Sequence, residues 1–373
     1  MALSKVDLAN QVENQLPQSL VADNVNFRNI FINGDMSIAQ RGTSFSSVSA
    51  GNGTYPVDRF RNNMTGAGTW TISQSTEVPS GQGFAKSVKY DCTTANGSLA
   101  AGDFLVFEQQ VEGQNLQYLK KGTSSAESLT ISFWVRSNKT GTYICELYDN
   151  DNTRQISKSY TISSADTWEK KTITYAGDTT GAFDNDNGAS LRLFFHLSAG
   201  SDFTSGTLNT SWNSATNANR AVGQVNLADS TSNEWYITGV QLEAGTTASD
   251  FEFLPVDVNL ERCFRYYQVF NDNSDIEPLC MSQNESTIHA RAVVRLPVNM
   301  RSAPSLDQVT GADLYGIVDN TGTYTFDSFS VSRATVRQVR LLNADTVSGM
   351  TAGNASRFEG QNSTSYVAFT SEL

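Results

Sequence analysis

The sequence predicts an all-β protein: a jelly-roll β-sandwich, a second β-rich C-terminal domain, and a short N-terminal helix. Only 17% of the 373 residues are charged, whereas an ordinary soluble domain has about 25%. Ser, Thr, Asn and Gly take their place, and these residues are poor helix formers because they offer the backbone competing hydrogen bonds or excess freedom. Short apolar runs between clusters of Gly, Asn and Ser are typical of a sandwich or jelly roll.

The first element is a short helix near the N-terminus. Ser4 can cap this helix and Pro17 ends it. Its apolar side chains, at near-helical spacing, are Val6, Ala9 and Val12. Because a helix of this length is marginal alone in water, it needs a partner surface or copies of itself. We predict that residues 1–28 are a docking segment, with a frayed end as the alternative.

Nine runs between residues 30 and 242 have the length and composition of β-strands. They are residues 30–38, 70–75, 85–90, 104–111, 129–136, 142–148, 172–175, 191–197 and 235–242. Side chains alternate between the two faces of a strand, so Leu129, Ile131 and Phe133 share one face. Trp134 and Arg136 share the other face. The run 191–197 repeats this pattern, which predicts a sandwich with one buried face on each sheet.

The chain is predicted to divide near Pro255 into a jelly-roll domain, 29–255, and a C-terminal β-rich domain, 256–373. The hydrophobic content of 39%, with 20 Phe, 13 Tyr and 5 Trp, can fill a core in each. Between Ala199 and Asn233 the sequence is rich in Ser, Thr and Asn and has little periodicity. A loop of that length in a compact domain is usually functional or disordered.

The charge balance excludes two classes of partner. At pH 7 the net charge is -12, so counterion release onto Lys and Arg cannot drive binding to nucleic acid, and an anionic membrane would repel the chain. The first eleven residues contain no apolar signal region, and no run of 18 apolar residues occurs in the sequence. We expect no nucleic-acid partner, no membrane insertion and no export by a standard signal.

Motifs of catalysis are missing from the sequence. The two histidines, His196 and His289, lie outside any His-Glu-x-x-His motif, and there is no Gly-rich phosphate loop or Gly-x-Ser-x-Gly elbow. The four cysteines have no Cys-x-x-Cys spacing and are expected to be buried thiols. We predict a protein that is not an enzyme and requires no cofactor. A pair of glycosidase carboxylates is the alternative that sequence leaves open.

A ligand-binding surface is predicted on strand faces that point away from the core. Sugar rings stack their C–H faces on aromatic side chains, while sugar hydroxyls bind charged and amide groups, so a mixture of the two suits a glycan. The candidate residues are Trp134, Arg136, Glu146, Tyr148, Arg192, His196 and Trp212. The alternative is that Trp134 packs under a loop or against a neighbouring subunit.

Ordered sequence blocks resemble bacteriophage tail-fibre and other virion appendage proteins with a jelly roll like that of carbohydrate-binding modules. The first block, residues 29–44, contains Asn33-Gly34 and then Gln40-Arg41-Gly42-Thr43. The others are residues 55–60, 129–137, 239–245, 251–252 and 263–267. Residues 295–304 and 371–373 are similar to a C-terminal module that often follows in phage tail proteins. Two departures are Phe60, where the family has Trp, and Leu254-Pro255, where it has Arg-Pro.

The resemblance implies a virion structural protein that is assembled in the host cytoplasm. It implies a homotrimer that contacts other phage tail proteins through its N-terminus and mediates adsorption to a host surface polysaccharide or receptor. A head or tail decoration or adaptor protein is the alternative, and a polysaccharide depolymerase is a third. By analogy with jelly-roll binding modules, Asp35 and Glu243 are candidate ligands for a structural calcium near the first and last strands.

Overall fold

The computed structural model describes residues 27–272 and 276–373, which are built mainly of antiparallel β-sheets. The fold class predicted from the sequence is confirmed: a jelly-roll β-sandwich is followed by a second β-rich unit. The helix predicted around Val6, Ala9 and Val12 lies outside the described residues. None of the helices within the described ranges is long and apolar enough to span a membrane.

The β-sandwich contains thirteen strands and one short α-helix. In chain order these are β1 (Ser44–Val48), β2 (Gly51–Val57), β3 (Phe60–Thr65), β4 (Thr69–Ser75), β5 (Ser87–Thr94), β6 (Phe104–Glu112), β7 (Leu129–Ser137), β8 (Gly141–Asp149), β9 (Arg154–Ile162), β10 (Glu169–Tyr175), β11 (Ala189–Ala199), α1 (Ser201–Thr204), β12 (Asn213–Ser214) and β13 (Glu234–Ala244). Sheet A has the order β1-β4-β5-β13-β7-β10. Sheet B has the order β12-β9-β8-β11-β6-β3-β2.

Aromatic side chains fill the space between the two sheets. Trp235 of β13 lies 6.1 Å from Phe107 of β6 and 6.2 Å from Phe195 of β11, measured between ring centroids. Phe133 of β7 lies 4.9 Å from Phe195. All four rings are fully buried. The alternation predicted for β7 and β11 is therefore confirmed, and the opposite faces of these strands point away from the core.

The run 30–38, predicted as a strand, forms bends and a turn instead. Asn33 adopts a positive φ of 62°. Its side-chain amide donates to the carbonyls of Ile38 and Asp58, both at 2.9 Å, and its side-chain oxygen accepts from the Ile38 amide at 2.9 Å. The prediction was wrong because an asparagine side chain satisfies the backbone groups that a neighbouring strand would otherwise bind.

Gly34 holds this turn against β13. The Val240 amide donates to the Gly34 carbonyl at 2.8 Å, and a Cβ at Gly34 would lie 2.0 Å from the Val240 carbonyl oxygen. We expect Gly34→Ala to lower the free energy of unfolding by about 2 to 3 kcal/mol, since backbone must move to admit the methyl group. Urea unfolding measures this. Gly53→Ala is the matched control, because a Cβ there meets no atom within 4 Å; equal stability of the two variants would contradict the prediction.

The C-terminal unit, residues 256–272 and 276–373, is a helix followed by ten strands. These are α2 (Val256–Phe264), β14 (Tyr267–Asp272), β15 (Glu277–Asn284), β16 (Ala290–Arg295), β17 (Ser305–Gln308), β18 (Tyr315–Val318), β19 (Thr323–Phe326), β20 (Phe329–Thr335), β21 (Gln338–Asn343), β22 (Ala355–Gly360) and β23 (Tyr366–Thr370). They form a three-stranded sheet, β14-β23-β17, and a seven-stranded sheet, β19-β18-β22-β15-β16-β21-β20. A separate hydrophobic cluster, which includes Phe326, Phe329 and Phe358, fills this unit.

The four cysteines are free thiols, as expected from their spacing. Cys92, Cys145 and Cys263 are buried, whereas Cys280 is half-buried, so the expectation of four buried thiols was wrong for that one. Burial raises the pKa of the Cys145 thiol to about 12. These thiols therefore act as small apolar side chains at neutral pH.

Charged side chains join the sandwich to the C-terminal unit. Arg59, which is 3% exposed, forms a salt bridge with Glu372 and donates to the Gln110 carbonyl at 2.8 Å. Its guanidinium carbon lies 3.4 Å from the ring centroid of Tyr266. Glu372 also accepts a hydrogen bond from Arg41 at 3.0 Å. One carboxylate of the C-terminal unit thus bridges two arginines of the sandwich.

Glu112 of β6 makes a second contact across this joint. It is fully buried and accepts hydrogen bonds from Nε and Nη2 of Arg265, both at 2.6 Å, and from the Tyr266 hydroxyl. Gln40 also spans the boundary, since its side-chain amide donates to the Tyr267 carbonyl at 2.9 Å. Several sequence blocks that resemble phage appendage proteins supply these residues. The blocks therefore mark a joint between two β units.

Candidate functional site

A cavity of about 350 Å³ lies on the face of sheet B that points away from the sandwich core. Residues from β3, β6, β8 and β11 and from the segment after β11 line it. At its centre, Phe194 pairs across the sheet with Glu146 of β8 and Glu108 of β6. Arg192 and His196 lie two residues to either side on the same face. Strand alternation therefore brings three neighbouring side chains of β11 to one surface.

Glu146 is the buried anion beneath this surface. Its two carboxylate oxygens accept hydrogen bonds from Arg220 Nε at 2.9 and 3.1 Å, and one of them lies 2.8 Å from His196 Nε2. Burial pushes the pKa of Glu146 upwards, but the Arg220 charge and the contacts with His196 outweigh it, so this pKa lies below its usual value. Burial lowers the pKa of Arg220, but the charge and hydrogen bonds of Glu146 outweigh it, so the net pKa is raised. Both groups are therefore charged at neutral pH.

Glu108 forms a second buried ion cluster next to the first. It is fully buried, forms a salt bridge with Arg61 of β3, and accepts a hydrogen bond from Arg192 Nη2 at 2.8 Å. The two glutamates thus anchor Arg192 and Arg220 from below. A buried carboxylate that accepts charge-assisted hydrogen bonds holds its partners in fixed positions, which suits a preorganised binding surface.

Aromatic rings orient the two arginines. The guanidinium carbons of Arg192 and Arg220 lie 4.7 Å and 5.0 Å from the ring centroid of Phe194, which is 4% exposed. Arg220 also lies 5.3 Å from the ring centroid of Tyr148. Three further rings are partly exposed at the cavity wall: Phe104, Tyr148 and Phe203. The cavity therefore combines fixed cations with accessible aromatic surface.

His196 supplies a further polar group. Its side chain is 3% exposed and lines the cavity. Its Nε2 faces Glu146, whereas its Nδ1 is buried without a hydrogen-bond partner among the residues that the structure describes. A buried polar atom without a partner is costly, which is why native proteins rarely keep one without a reason. This nitrogen is a candidate partner for a ligand or for water.

The segment between β11 and β13 completes the cavity with Phe203, Asn217 and Arg220. It is ordered by backbone hydrogen bonds, among them one from the Ala221 amide to the Phe203 carbonyl at 2.9 Å and one from the Gly206 amide to the Ala218 carbonyl at 2.9 Å. The sequence indicated a functional or disordered loop here and did not single out Arg220. The only available signal was the length of the aperiodic stretch.

Three of the predicted ligand residues line this cavity, Tyr148, Arg192 and His196, and a fourth, Glu146, is fully buried beneath it. Trp134 and Arg136 do not line it, because they belong to β7 of sheet A, on the opposite side of the sandwich. Arg136 donates there to the carbonyl and the carboxylate of Asp166, at 3.0 and 3.2 Å. The prediction that these two residues share a surface with Arg192 was therefore wrong.

Trp212 also lies away from the cavity. Its Nε1 donates to the Ala176 carbonyl at 2.8 Å, and the Lys121 ammonium lies 5.5 Å from its ring centroid. The indole packs against the sandwich core next to the edge strand β12. Trp212 therefore packs at the edge of sheet B, away from this cavity, and its role in binding a ligand stays a prediction.

The two carboxylates predicted to bind calcium are engaged by protein donors. Asp35 accepts hydrogen bonds from the side chains of Ser37 and Asn259, both at 3.1 Å. Glu243 accepts from the amide and hydroxyl of Ser249, at 2.9 and 2.7 Å. Within residues 27–272 and 276–373, no group of three or more His, Cys, Asp or Glu side chains could hold a metal ion. A calcium site at Asp35 and Glu243 stays a prediction.

The fold and the cavity define a class of protein: a jelly-roll β-sandwich with a polar, aromatic cavity on an outer sheet face. A scan against protein-family models found no match to the sequence, and a search of curated proteins found none either. The sandwich does have structural neighbours. They include carbohydrate-binding modules and a domain of a phage tailspike.

The enzymatically active domain of tailspike protein 4 of bacteriophage CBA120 is 15% identical over 59% of this chain, with a TM-score of 0.31. The match spans only 22% of that tailspike structure. TmCBM61, solved with β-1,4-galactotriose, is 11% identical over 58% of this chain and 99% of its own, with a TM-score of 0.29. The family 11 carbohydrate-binding module of a Clostridium thermocellum cellulase is 12% identical, over 54% and 99%, with a TM-score of 0.24. At these TM-scores, function has to be argued from the cavity itself.

Proposed function

We propose that the sandwich binds a glycan in the cavity on sheet B and serves as the host-recognition module of a phage virion appendage. The observation that carries the proposal is the combination of partly exposed rings with fixed polar donors in one cavity. Rings can pack against the C–H faces of a sugar, while guanidinium and amide groups bind its hydroxyls. The cavity volume of about 350 Å³ falls within the range of small-molecule sites.

The cavity offers amide groups as well as charged groups. Asn63, Asn150 and Asn217 line it from three different segments of the sandwich. A side-chain amide both donates and accepts, so it can bind a hydroxyl in either orientation. Most of the lining side chains lie on strands, and the arginines are held by buried glutamates. Such a rigid site loses little conformational freedom on binding, which favours affinity.

The role in a virion rests on the sequence blocks that resemble phage appendage proteins. We propose that the protein is a tail-fibre subunit that assembles in the host cytoplasm as a homotrimer. Residues 1–28 would then contact other tail proteins, and the cavity would bind host surface polysaccharide. A head or tail decoration or adaptor protein is the second candidate, because the same blocks form a structural joint in this chain. That candidate predicts no affinity for any host glycan.

We expect no hydrolysis of the bound glycan. A glycosidase needs one carboxylic acid that is protonated at working pH. Glu146 is held ionised by Arg220 and His196, as its lowered pKa indicates. Glu108 is bound by two arginines. A depolymerase would release reducing ends from purified host polysaccharide, and that assay tests the expectation.

Arg220→Ala is expected to weaken glycan binding at least about tenfold, since it removes the fixed donor over Tyr148 and Phe194. Binding is measured first on an array of purified bacterial surface polysaccharides and then by calorimetry with the strongest binder. Arg136→Ala is the matched control, because the side chains of Arg136 and Arg220 are 19% and 17% exposed and each binds a carboxylate and stacks on a tyrosine.

We expect Arg136→Ala and Trp134→Ala to bind like the wild type, because both residues lie on sheet A. If instead Arg220→Ala binds normally while Trp134→Ala loses affinity, the ligand face is on sheet A. If no polysaccharide on the array binds the wild-type protein, the adaptor role is favoured. Circular dichroism and the thermal midpoint of each variant separate loss of binding from loss of fold.

A further inference from the structure

We infer that the cavity on sheet B is selective for an acidic sugar, whose carboxylate is bound by Arg192 and Arg220. This inference deepens the proposed glycan-binding function and rests on it. Three properties of the cavity lead to it: unused guanidinium donors, a lining that carries positive charge but no carboxylate, and glutamates that are buried beneath it and already bound by protein donors.

The unused donors are at the ends of both arginines. Arg220 binds Glu146 through Nε alone, and among the described residues its Nη1 and Nη2 donate to no protein acceptor. Arg192 binds Glu108 through Nη2, and its Nη1 has no protein acceptor within the same residues. The planar fork of a guanidinium matches the two oxygens of a carboxylate. The buried glutamates thus orient each arginine and leave donors free for a ligand.

The lining of the cavity carries positive charge although the chain is acidic. Arg192 and Arg220 line the cavity, whereas their partners Glu108 and Glu146 are fully buried beneath it. In the described part of the chain, the side chains that line the cavity include two arginines and a histidine but no carboxylate. The whole chain has a net charge of -12. An anionic group is therefore attracted to this cavity and repelled from most of the remaining surface.

The carboxylates beneath the cavity are already bound by protein donors. The oxygens of Glu146 take three contacts with Arg220 and His196, and those of Glu108 take two with Arg61 and Arg192. A neutral sugar can bind the side-chain amides of Asn63, Asn150 and Asn217, but it offers no anion to the free arginine donors. A uronic or similar carboxylated sugar presents acceptors to the free arginine donors. The set of donors thus favours the acidic ligand.

The test compares each polysaccharide of the array with its carboxyl-reduced form. Chemical reduction of the carboxyl group converts a uronic acid residue to the neutral hexose and leaves the linkages unchanged. We expect the native acidic polysaccharide to bind at least about tenfold more tightly than its reduced form. We also expect its affinity to fall as ionic strength rises, because salt screens the attraction between charges.

Equal affinity for native and reduced forms would overturn the inference while leaving the glycan-binding function intact. Binding confined to neutral polysaccharides would overturn it in the same way. If neither form of any polysaccharide binds, the proposed function itself fails, and the inference fails with it. These three results are distinguishable on one array.

Variants link the selectivity to the arginines. Arg220→Gln and Arg192→Gln each remove the positive charge and leave a shorter, neutral side chain that can still donate hydrogen bonds. We expect each to reduce the ratio of native to reduced affinity several-fold, whereas Arg136→Gln leaves the ratio unchanged. Because the measured quantity is a ratio on one protein, a loss of stability that leaves the variant folded does not mimic the effect. An unchanged ratio in both cavity variants would contradict the assignment of the carboxylate to these arginines.

Discussion

Glu146→Gln is expected to abolish glycan binding and to lower the free energy of unfolding by about 3 kcal/mol. The carboxylate is fully buried between Arg220 and His196. Removing one partner of a buried ion pair leaves an uncompensated charge, which typically costs about 3 to 5 kcal/mol. Arg220 would also lose the anchor that orients its free donors. Stability and binding should therefore fall together.

The pH dependence of the stability lost in Glu146→Gln tests whether that loss is electrostatic. The pKa of Glu146 in the folded protein lies below its usual value of 4.5, mainly because of Arg220 and His196 acting against burial. A carboxyl with a lowered pKa stabilises the fold above its usual pKa, and that stabilisation is lost as the pH falls through the folded pKa. The stability difference between wild type and Glu146→Gln should therefore narrow below pH 4.5.

Urea unfolding at several pH values measures this difference, and calorimetry measures the binding. Glu127→Gln is the matched control, because Glu127 pairs with Lys120 at the surface, with side chains 40% and 54% exposed. Such a pair contributes about 0 to 1 kcal/mol. A stability loss for Glu146→Gln no larger than that of the control would contradict the account of the buried ion cluster.

Glu112→Gln is expected to loosen the joint between the sandwich and the C-terminal unit, at a cost of about 2 to 3 kcal/mol. The fully buried Glu112 carboxylate binds both Arg265 and Tyr266. Burial raises the pKa of Glu112, but the hydrogen bonds from Arg265 and Tyr266 outweigh it and the net pKa is lowered. This expected loss of stability is small for the breaking of a buried ion pair, because the Arg265 side chain is 30% exposed.

Scanning calorimetry measures whether the two units unfold in one transition or in two. We expect the wild-type sandwich and C-terminal unit to unfold together, and Glu112→Gln to separate them into two transitions, because each has its own hydrophobic cluster. Glu77→Gln is the control, since Glu77 is 64% exposed and pairs with Arg136 far from the joint. A single transition at an unchanged midpoint in Glu112→Gln would show that this carboxylate does not couple the two units.

Local patterns were sufficient to predict most of the sandwich. Alternation placed Ile131 and Phe133 inside and, by the same rule, Arg192 and His196 outside. The pattern failed where a side chain replaced a backbone partner, as Asn33 does in the run 30–38. Strand propensity cannot detect this, because the apolar composition of the run is that of a strand.

The candidate site was predictable only in part, for a physical reason. Alternation reveals which face of a strand is exposed, but it does not reveal to which sheet the strand belongs. Trp134 and Arg192 thus looked equivalent in sequence and lie on opposite sheets. Arg220 comes from an aperiodic segment, and only the folded chain brings it to Glu146.

The resemblance to phage proteins identified residues of the joint and not residues of the cavity. Its blocks supply Gln40, Arg59, Tyr266 and Glu372, which build the joint between the two units. They do not supply the arginines of the cavity. These four residues are structural in this chain, whereas the residues that line the cavity come from β3, β6, β8 and β11 and from the segment after β11.

A structure of the protein with the best-binding oligosaccharide from the array tests the central claim most directly. We predict a sugar in the cavity on sheet B, packed against Tyr148 and hydrogen-bonded by Arg220. For an acidic sugar, the carboxylate should lie between Arg192 and Arg220. Density for the sugar on sheet A beside Trp134, or in the joint beside Arg59, would contradict the assignment of this cavity as the glycan site.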